Sequence, residues 1–312
     1  MSEFVNTVDA IGDDVLMDQL IQRTVTEFKD NVVTTIRDSA LDDCTLLEEV
    51  SFPSAKATGY FAFRGCTSLK TAVFQAATEV SESSFSGCSA LEEVSVPKAT
   101  KISMSGFSAC AAMQKVDFPL VTTLGKYAFQ NCTSLTEANL PLVTSISESC
   151  FQGCTAFDGT GLDFSKITSL GHYAFQDCTS LTNGYFPNAT TLNGWAFTRC
   201  NNLKEIVLPK ATSFWMCALA NCAALERADL GAATSLSNQM FSNDYALKTL
   251  ILRSETMCAA GSTVTFNNTP IANGTGYIYV PSALVDTYKA DSVWSTYAAQ
   301  IRAIEDYPDV CG

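Results

Sequence analysis

Apolar residues in this chain recur at one long interval rather than at the 3.6 of a helix or the 2 of a strand. A Cys stands at 44, 66, 88, 110, 132, 154, 178, 200 and 222, so the step is 22 residues everywhere except between Cys154 and Cys178, where it is 24. Three residues before it come Phe63, Phe85, Phe107, Phe129, Phe151, Phe175 and Phe197, with Leu41 and Leu219 at the two ends. Three residues after it come Leu47, Leu69, Leu91, Met113, Leu135, Phe157, Leu181, Leu203 and Leu225. A unit this short cannot bury its own apolar side. The fixed period therefore predicts a solenoid, in which each coil seals its apolar residues against the next.

Within the unit, Leu91-Glu-Glu-Val94-Ser-Val96-Pro97 shows how a coil is built. Val94 and Val96 alternate with an outward Ser95, as a half-buried strand requires. The proline that follows, also found at 53, 119, 141, 187 and 209, ends the strand where its missing N–H takes no ladder bond. An Ala-Thr or Val-Thr pair comes next, then Ile102, Leu124, Ile146, Leu170 or Leu192, and a turn back to Phe and Cys. Parallel strands about 4.8 Å apart would form a sheet on one side only. The fold class expected is a repeat solenoid, a parallel β-sheet superhelix of about ten 22-residue rungs with helical caps.

Three regions follow. Residues 1–24 read as an N-terminal helical cap, because Leu16, Met17, Leu20 and Ile21 make an apolar stripe behind Asp13 and Asp14. Residues 25–252 read as the solenoid, starting with a degenerate rung at Val25 and ending on Leu247, Leu250 and Leu252. Residues 253–312 read as a C-terminal cap with two short helices, Ala283 to Lys289 and Val293 to Ile301, each behind a serine or Asp-Ser start. The longer fifth rung carries Asp158-Gly-Thr-Gly161, which is expected to bulge outward without breaking the stack.

Charge narrows the function. A net −13 repels phosphate backbones, so no nucleic-acid partner is expected. No run reaches the roughly 18 apolar residues of a membrane span, and no membrane insertion is expected. Asp9, Asp13, Asp14 and Asp18 interrupt the place where a signal peptide would carry its apolar core, which points to a trimmed leader or to folding in a cytosol. Thirteen cysteines, nine at one repeat position, do not make a disulfide framework. Metal chemistry would need C-x-x-C pairs, and none occurs; the cysteines read as reduced core thiols, and no cofactor is expected.

The phrase Phe-x-x-Cys-x-x-Leu, followed by Val-x-Val-Pro and Ala-Thr-x-Ile over about residues 25–252, resembles the BspA-like leucine-rich repeats of bacteria. The flanks Phe4-Val-Asn-Thr-Val-Asp9 and Ile278-Tyr-Val-Pro-Ser-Ala-Leu-Val-Asp-Thr-Tyr-Lys289 resemble those of repeat proteins from gut bacteria and their phages. The resemblance implies binding rather than catalysis: surface adhesins, and virion-associated recognition in phage-like members. It brings no catalytic residues.

Function is then sought on outward positions, since packing occupies the inward ones. Two residues before the repeated Phe lie Phe61, Tyr127, Tyr173 and Trp195, with His172 beside Tyr173 and Trp215 near the equivalent place. Aromatics on adjacent rungs could stack on sugars or anchor a protein; the alternative is that they fold over the next rung as covers. A second face follows the strands and mixes signs: Glu48, Glu49, Glu92, Glu93, Lys115, Asp117, Glu137, Glu205, Glu226 and Arg227. Solvation alone explains such a face, while a cation or basic partner is the functional alternative. His172 is the single histidine, and no phosphate-cradling loop or H-E-x-x-H run accompanies it, so no enzyme is expected. The expectation is a recognition module for a protein or glycan on a cell or mucosal surface. A phage virion displayed after lysis is its preferred setting and a bacterial surface its alternative. A structural virion component, or a homo-oligomer formed through the caps, is the reading from another class.

Overall fold

The structure is a computed structural model that describes Ala10–Ile11 and residues 25–311 except 183. The expected N-terminal helix therefore lies outside the described residues. Ala10–Ile11 is a short strand paired in parallel with Thr35–Ile36. The chain gathers into two compact units, one of residues 1–143 with 147–162, the other of 144–146 with 163–312.

The first unit is a stack of coils. Glu27–Lys29, Glu49–Ser51, Thr71–Val73 and Glu93–Ser95 form a four-stranded parallel sheet in which Phe28, Val50, Ala72 and Val94 stand in register. Lys115–Asp117 and Glu137–Asn139 continue the pattern. Inside, the repeated phenylalanines are sealed and stack face to face. Ring centroids lie 5.3 Å apart for Phe63 and Phe85 and 5.4 Å for Phe85 and Phe107, at 7° and 6° between planes. A second inward aromatic set, Phe52, Phe74 and Phe118, follows the strand and packs against the first at varied angles: Phe74 edge-on to Phe63 at 69°, Phe52 tilted to it at 31°, and Phe118 stacked on Phe107 at 24°.

Pairing between coils is not confined to one side. Glu79–Val80, Lys101–Ile102 and Thr123–Leu124 make a second parallel ladder at the apolar residue after the Ala-Thr pair. The turn carrying Phe and Cys makes a third. Tyr127, Phe129 and Asn131 donate their N–H groups to the carbonyls of Glu148, Cys150 and Gln152 at 2.9, 2.9 and 2.7 Å. The backbone is left-handed at Tyr127 (φ 60°) and Asn131 (φ 58°), and the change of hand aims alternate N–H groups along the stack. Asn, Asp and Gly fill most of the positions equivalent to Asn131, as their tolerance of positive φ would favour. The one-sided sheet expected from the strands missed this, because a two-residue strand and a hydrogen-bonded turn leave no alternating signature.

The two extra residues of the fifth rung do not bulge away. Thr160 still bridges Glu137, and Ala138 donates its N–H to the Thr160 carbonyl at 2.9 Å. Gly161, at φ 85°, makes this approach: a Cβ there would lie 2.8 Å from the Ala138 carbonyl.

In the second unit, Ser145–Ile146, Ser169–Leu170, Thr191–Leu192, Ser213–Phe214, Ser235–Leu236 and Ala259–Ala260 form one parallel ladder. Glu205–Val207, Arg227–Asp229, Thr249–Ile251, Tyr277–Val280 and Ile301–Ala303 form another. Two further strands of this ladder thus follow Thr249–Ile251, the last clear strand of the repeat pattern, and the first of them is the apolar run Tyr277–Val280. Val285–Ala290 is the first expected helix. The second is shorter than expected: Trp294–Gln300 is 3-10 with a kink at Tyr297, and Ile301 leaves it to pair with Ile278. Asp291 starts it, its carboxylate accepting the N–H groups of Val293 and Trp294 at 2.9 and 3.0 Å. These bonds hold the Asp291 carboxyl below the usual range. Trp294 and Tyr288, both fully buried, clamp Cys258: the indole N–H donates to its carbonyl and the phenol oxygen accepts its N–H, each at 2.7 Å.

Candidate functional site

The thirteen thiols are free and all but Cys217 are buried. Each repeated thiol that follows another coil of its own unit points one coil back. Cys88 donates to the Phe63 carbonyl at 3.0 Å, Cys110 to Phe85 at 3.2 Å, Cys200 to Phe175 at 3.1 Å and Cys222 to Phe197 at 3.0 Å. Burial pushes the Cys132 thiol up to about 12, so it stays protonated and donates. The column is structural, and among the described residues no group of three metal-ligating side chains forms. Among them also, no helix is long and apolar enough to cross a membrane.

The charged strand face is stitched from coil to coil. Glu48 pairs with Lys70, Glu49 with Lys29 and Glu137 with Lys115, each at 2.7 Å. Asp117 accepts from the Asn139 amide at 2.6 Å. In the second unit Arg227 pairs with Glu205 and, at 3.1 Å, with Asp229. Opposite charges at one register therefore neutralise each other across neighbouring strands, where solvent screening keeps each exposed pair weak. Glu92, Glu93 and Glu226 stay exposed on this face. A shallow depression among Thr26, Glu48, Glu49 and Lys70 is too open to enclose a ligand.

The aromatic strip divides between the units. In the first, Phe61 lies under the Arg64 guanidinium, 5.2 Å from its ring centre, and the Tyr127 hydroxyl donates to Glu148 at 2.9 Å. Both aromatics are half-covered by their own unit. In the second unit four predicted residues come together. Tyr173 and Trp195 stack at 5.2 Å and 13°, each ring covering a face of the other. His172 lies 6.3 Å from Tyr173 and meets Trp215 edge to face at 5.8 Å. Trp215 is 55% exposed and its neighbour Met216 44%.

Backbone geometry explains the grouping. Tyr173 (φ 58°) and Trp195 (φ 59°) are left-handed, which costs a bulky residue roughly 1–2 kcal/mol. The conformation is imposed by the inter-coil ladder, in which Tyr173 donates to Gly194 at 3.1 Å and Trp195 to Met216 at 3.2 Å. Trp215 does not share their register. It sits seven residues before Cys222, where Trp195 sits five before Cys200, and the equivalent of Trp195 is Cys217 (φ 56°). Trp215 is therefore off the stack, and that is why it remains open.

Two contributors escaped the sequence reading. Met216 broadens the open patch, and Gly194 lets the next coil approach, since a Cβ there would lie 3.1 Å from the Met216 carbonyl. The column of Met216 carries no distinct signal for it, since the residue six before each Cys is Asp38, Tyr60, Glu82, Met104, Lys126 and Glu148 in the first unit and His172, Gly194 and Met216 in the second; only the charges drop out.

Comparison with known proteins agrees with the repeat geometry. The chain matches a family model for the BspA type leucine rich repeat region in six copies, over residues 9–136, 100–226 and 168–276. A leucine rich cell surface protein of Faecalibacterium prausnitzii has a crystal structure with TM-score 0.53 at 20% identity, covering 90% of this chain and 87% of that one. A leucine-rich repeat protein of Bacteroides ovatus gives TM-score 0.43 at 17% identity, over 87% and 88% of the two chains. A leucine rich repeat protein of T. pallidum gives TM-score 0.46 at 23% identity, over 51% of this chain and 78% of that one. A search of curated proteins returned no match. With six repeat matches spread over most of its length and a parallel ladder at every one, the chain belongs to the BspA type leucine rich repeat family.

Proposed function

We propose that this protein is a non-enzymatic recognition module that binds a macromolecule on a cell or mucosal surface. The observation that carries this is the cluster of His172, Tyr173, Trp195 and Trp215, which keeps Trp215 more than half in water on a scaffold that seals its other two tryptophans more fully. An exposed indole held by a rigid neighbour loses little side-chain freedom on binding, and such residues dominate interface energies. The charged strand face supports the same assignment by default, because its ion pairs satisfy one another and leave less to offer a ligand.

The test is adhesion. Fluorescently labelled protein should bind intact gut bacteria or immobilised mucin, and Trp215→Ser with Met216→Ser should lose most of that binding while the melting temperature holds. Adhesion that is absent throughout, or indifferent to the double change, would remove the proposal.

The setting proposed is a phage or prophage particle, supported by the phage-like flanks around Phe4 and Ile278. Immunogold labelling of purified particles tests it, and particles free of label would exclude it. The second reading is a bacterial cell-surface adhesin. It is favoured by the F. prausnitzii relative in fold, which is described as a cell surface protein. Surface proteolysis of intact producing cells separates the two.

A further inference from the structure

We infer that the cluster around Trp215 is a binding site for a neutral glycan, an inference that rests on the proposal that this cluster is the recognition surface. The first argument is charge. Residues 169–176, 191–198, 213–220 and 235–242, which build this strip of the second unit, contain no Asp, Glu, Lys or Arg, in a chain of net charge −13. A charged ligand would find no partner in them, whereas uncharged hydroxyls lose no ion pairing by docking there.

The second argument is the mixture of groups. Trp215 presents an aromatic face and His172 braces it edge-on at 5.8 Å. The axial C–H bonds of a pyranose carry slight positive charge and pack on the negative face of an indole. Beside the rings lie the Tyr173 hydroxyl and the His172 imidazole, and on the coil after Trp215 the Gln239 amide, whose oxygen is 3.6 Å from Cys217 Sγ, offers both a donor and an acceptor. Sugar hydroxyls need such two-way partners.

The third argument is size. A stable protein interface buries about 800 Å² on each partner. Here the strongly exposed apolar side chains of the strip are Trp215 and Met216, since Tyr173 and Trp195 cover one another. That area suits one or two sugar rings better than a protein anchor with its surround.

The experiment is affinity electrophoresis of the full chain in native gels containing starch, xylan, galactomannan or yeast mannan, with polygalacturonate and chondroitin sulfate as acidic counterparts. At least one neutral polysaccharide should retard the wild type, Trp215→Ala should weaken that retardation about tenfold or more, and the acidic polymers should not retard it. Trp215 is exposed, so the variant should melt at the wild-type temperature, and Met216→Ser serves as a second, milder probe. The inference is overturned if no neutral polysaccharide retards the protein, if Trp215→Ala is retarded equally, or if the acidic polymers bind as well. Lack of retardation beside Trp215-dependent adhesion to cells would assign a protein partner and leave the recognition proposal standing. Adhesion independent of Trp215 would overturn both.

Discussion

The Cys132 thiol donates its S–H to the carbonyl of Phe107, 3.1 Å away and one coil back. The same carbonyl accepts the Cys110 N–H at 3.2 Å, so one oxygen closes its own turn and receives the next coil. A small apolar side chain with a weak donor meets both demands of this buried place, which explains why the repeat keeps cysteine. Cys132→Ala removes the donor and leaves a small void, and should destabilise by about 1–3 kcal/mol. Urea denaturation measures it; an unchanged midpoint would contradict the role assigned to the thiol.

Phe129 stacks between Phe107 and Phe151 at 5.7 and 5.5 Å and is fully buried. Phe129→Ala should cost about 3–5 kcal/mol, since the rings on both sides are held by their own coils and cannot close the cavity. Calorimetry should show a large fall in melting temperature.

Asp244 stands where the next repeated cysteine would be. Its Oδ1 accepts the Cys222 N–H at 2.7 Å, while its Oδ2 is buried without a hydrogen-bond partner. Burial pushes this carboxyl well above the usual range, and the neutral acid is the form the coil accepts. A carboxyl raised on folding contributes its stability in full below the ordinary carboxylate pKa of about 3.9 and loses it as pH rises through the elevated folded value. Stability should therefore fall from pH 5 to pH 8, by at most about 1.4 kcal/mol per pH unit from this group. Asp244→Asn should flatten that slope, and denaturation midpoints across this range decide the matter.

Cys217 is the one thiol of the thirteen that is not buried. A thiol reagent at mild pH should modify a single residue in the native protein, and Cys217→Ser should abolish that fast phase. Rapid labelling of several cysteines would mean that the coils open.

Arg253 joins the end of the chain to the strand face, donating to Asp229 at 2.7 Å and to the Cys311 carbonyl. Cys311 packs with the paired strand residues Ile251 and Tyr279 in a small buried cluster, with Ile304 against it. Arg253→Ala should loosen residues 304–311 and speed their removal by carboxypeptidase, with little change in the coils before Asp229.

The aromatic strip shows how far sequence reading reached. Tyr173 and Trp195 were readable as adjacent because both stand five residues before a repeated cysteine. Their mutual stacking was not, since spacing places a side chain on a coil but does not tell which way its ring turns. Trp215 was placed near their register and proved to stand two residues ahead of it, a small difference in the chain that separates a covered ring from an open one.

What the sequence determined by itself was the coil: its length, its inward Phe, Cys and Leu columns, and its strand before proline. These repeat by translation, so each copy reports the same burial and local spacing is sufficient. What only the tertiary structure decided was the surface. Which acidic and basic side chains neutralise each other, which thiol is reachable and which indole faces water depend on the coil alongside, and on the left-handed turns that the inter-coil hydrogen bonds impose. None of these is written in the period, because the contacts that set them are made on the outer face, at positions where the repeats differ.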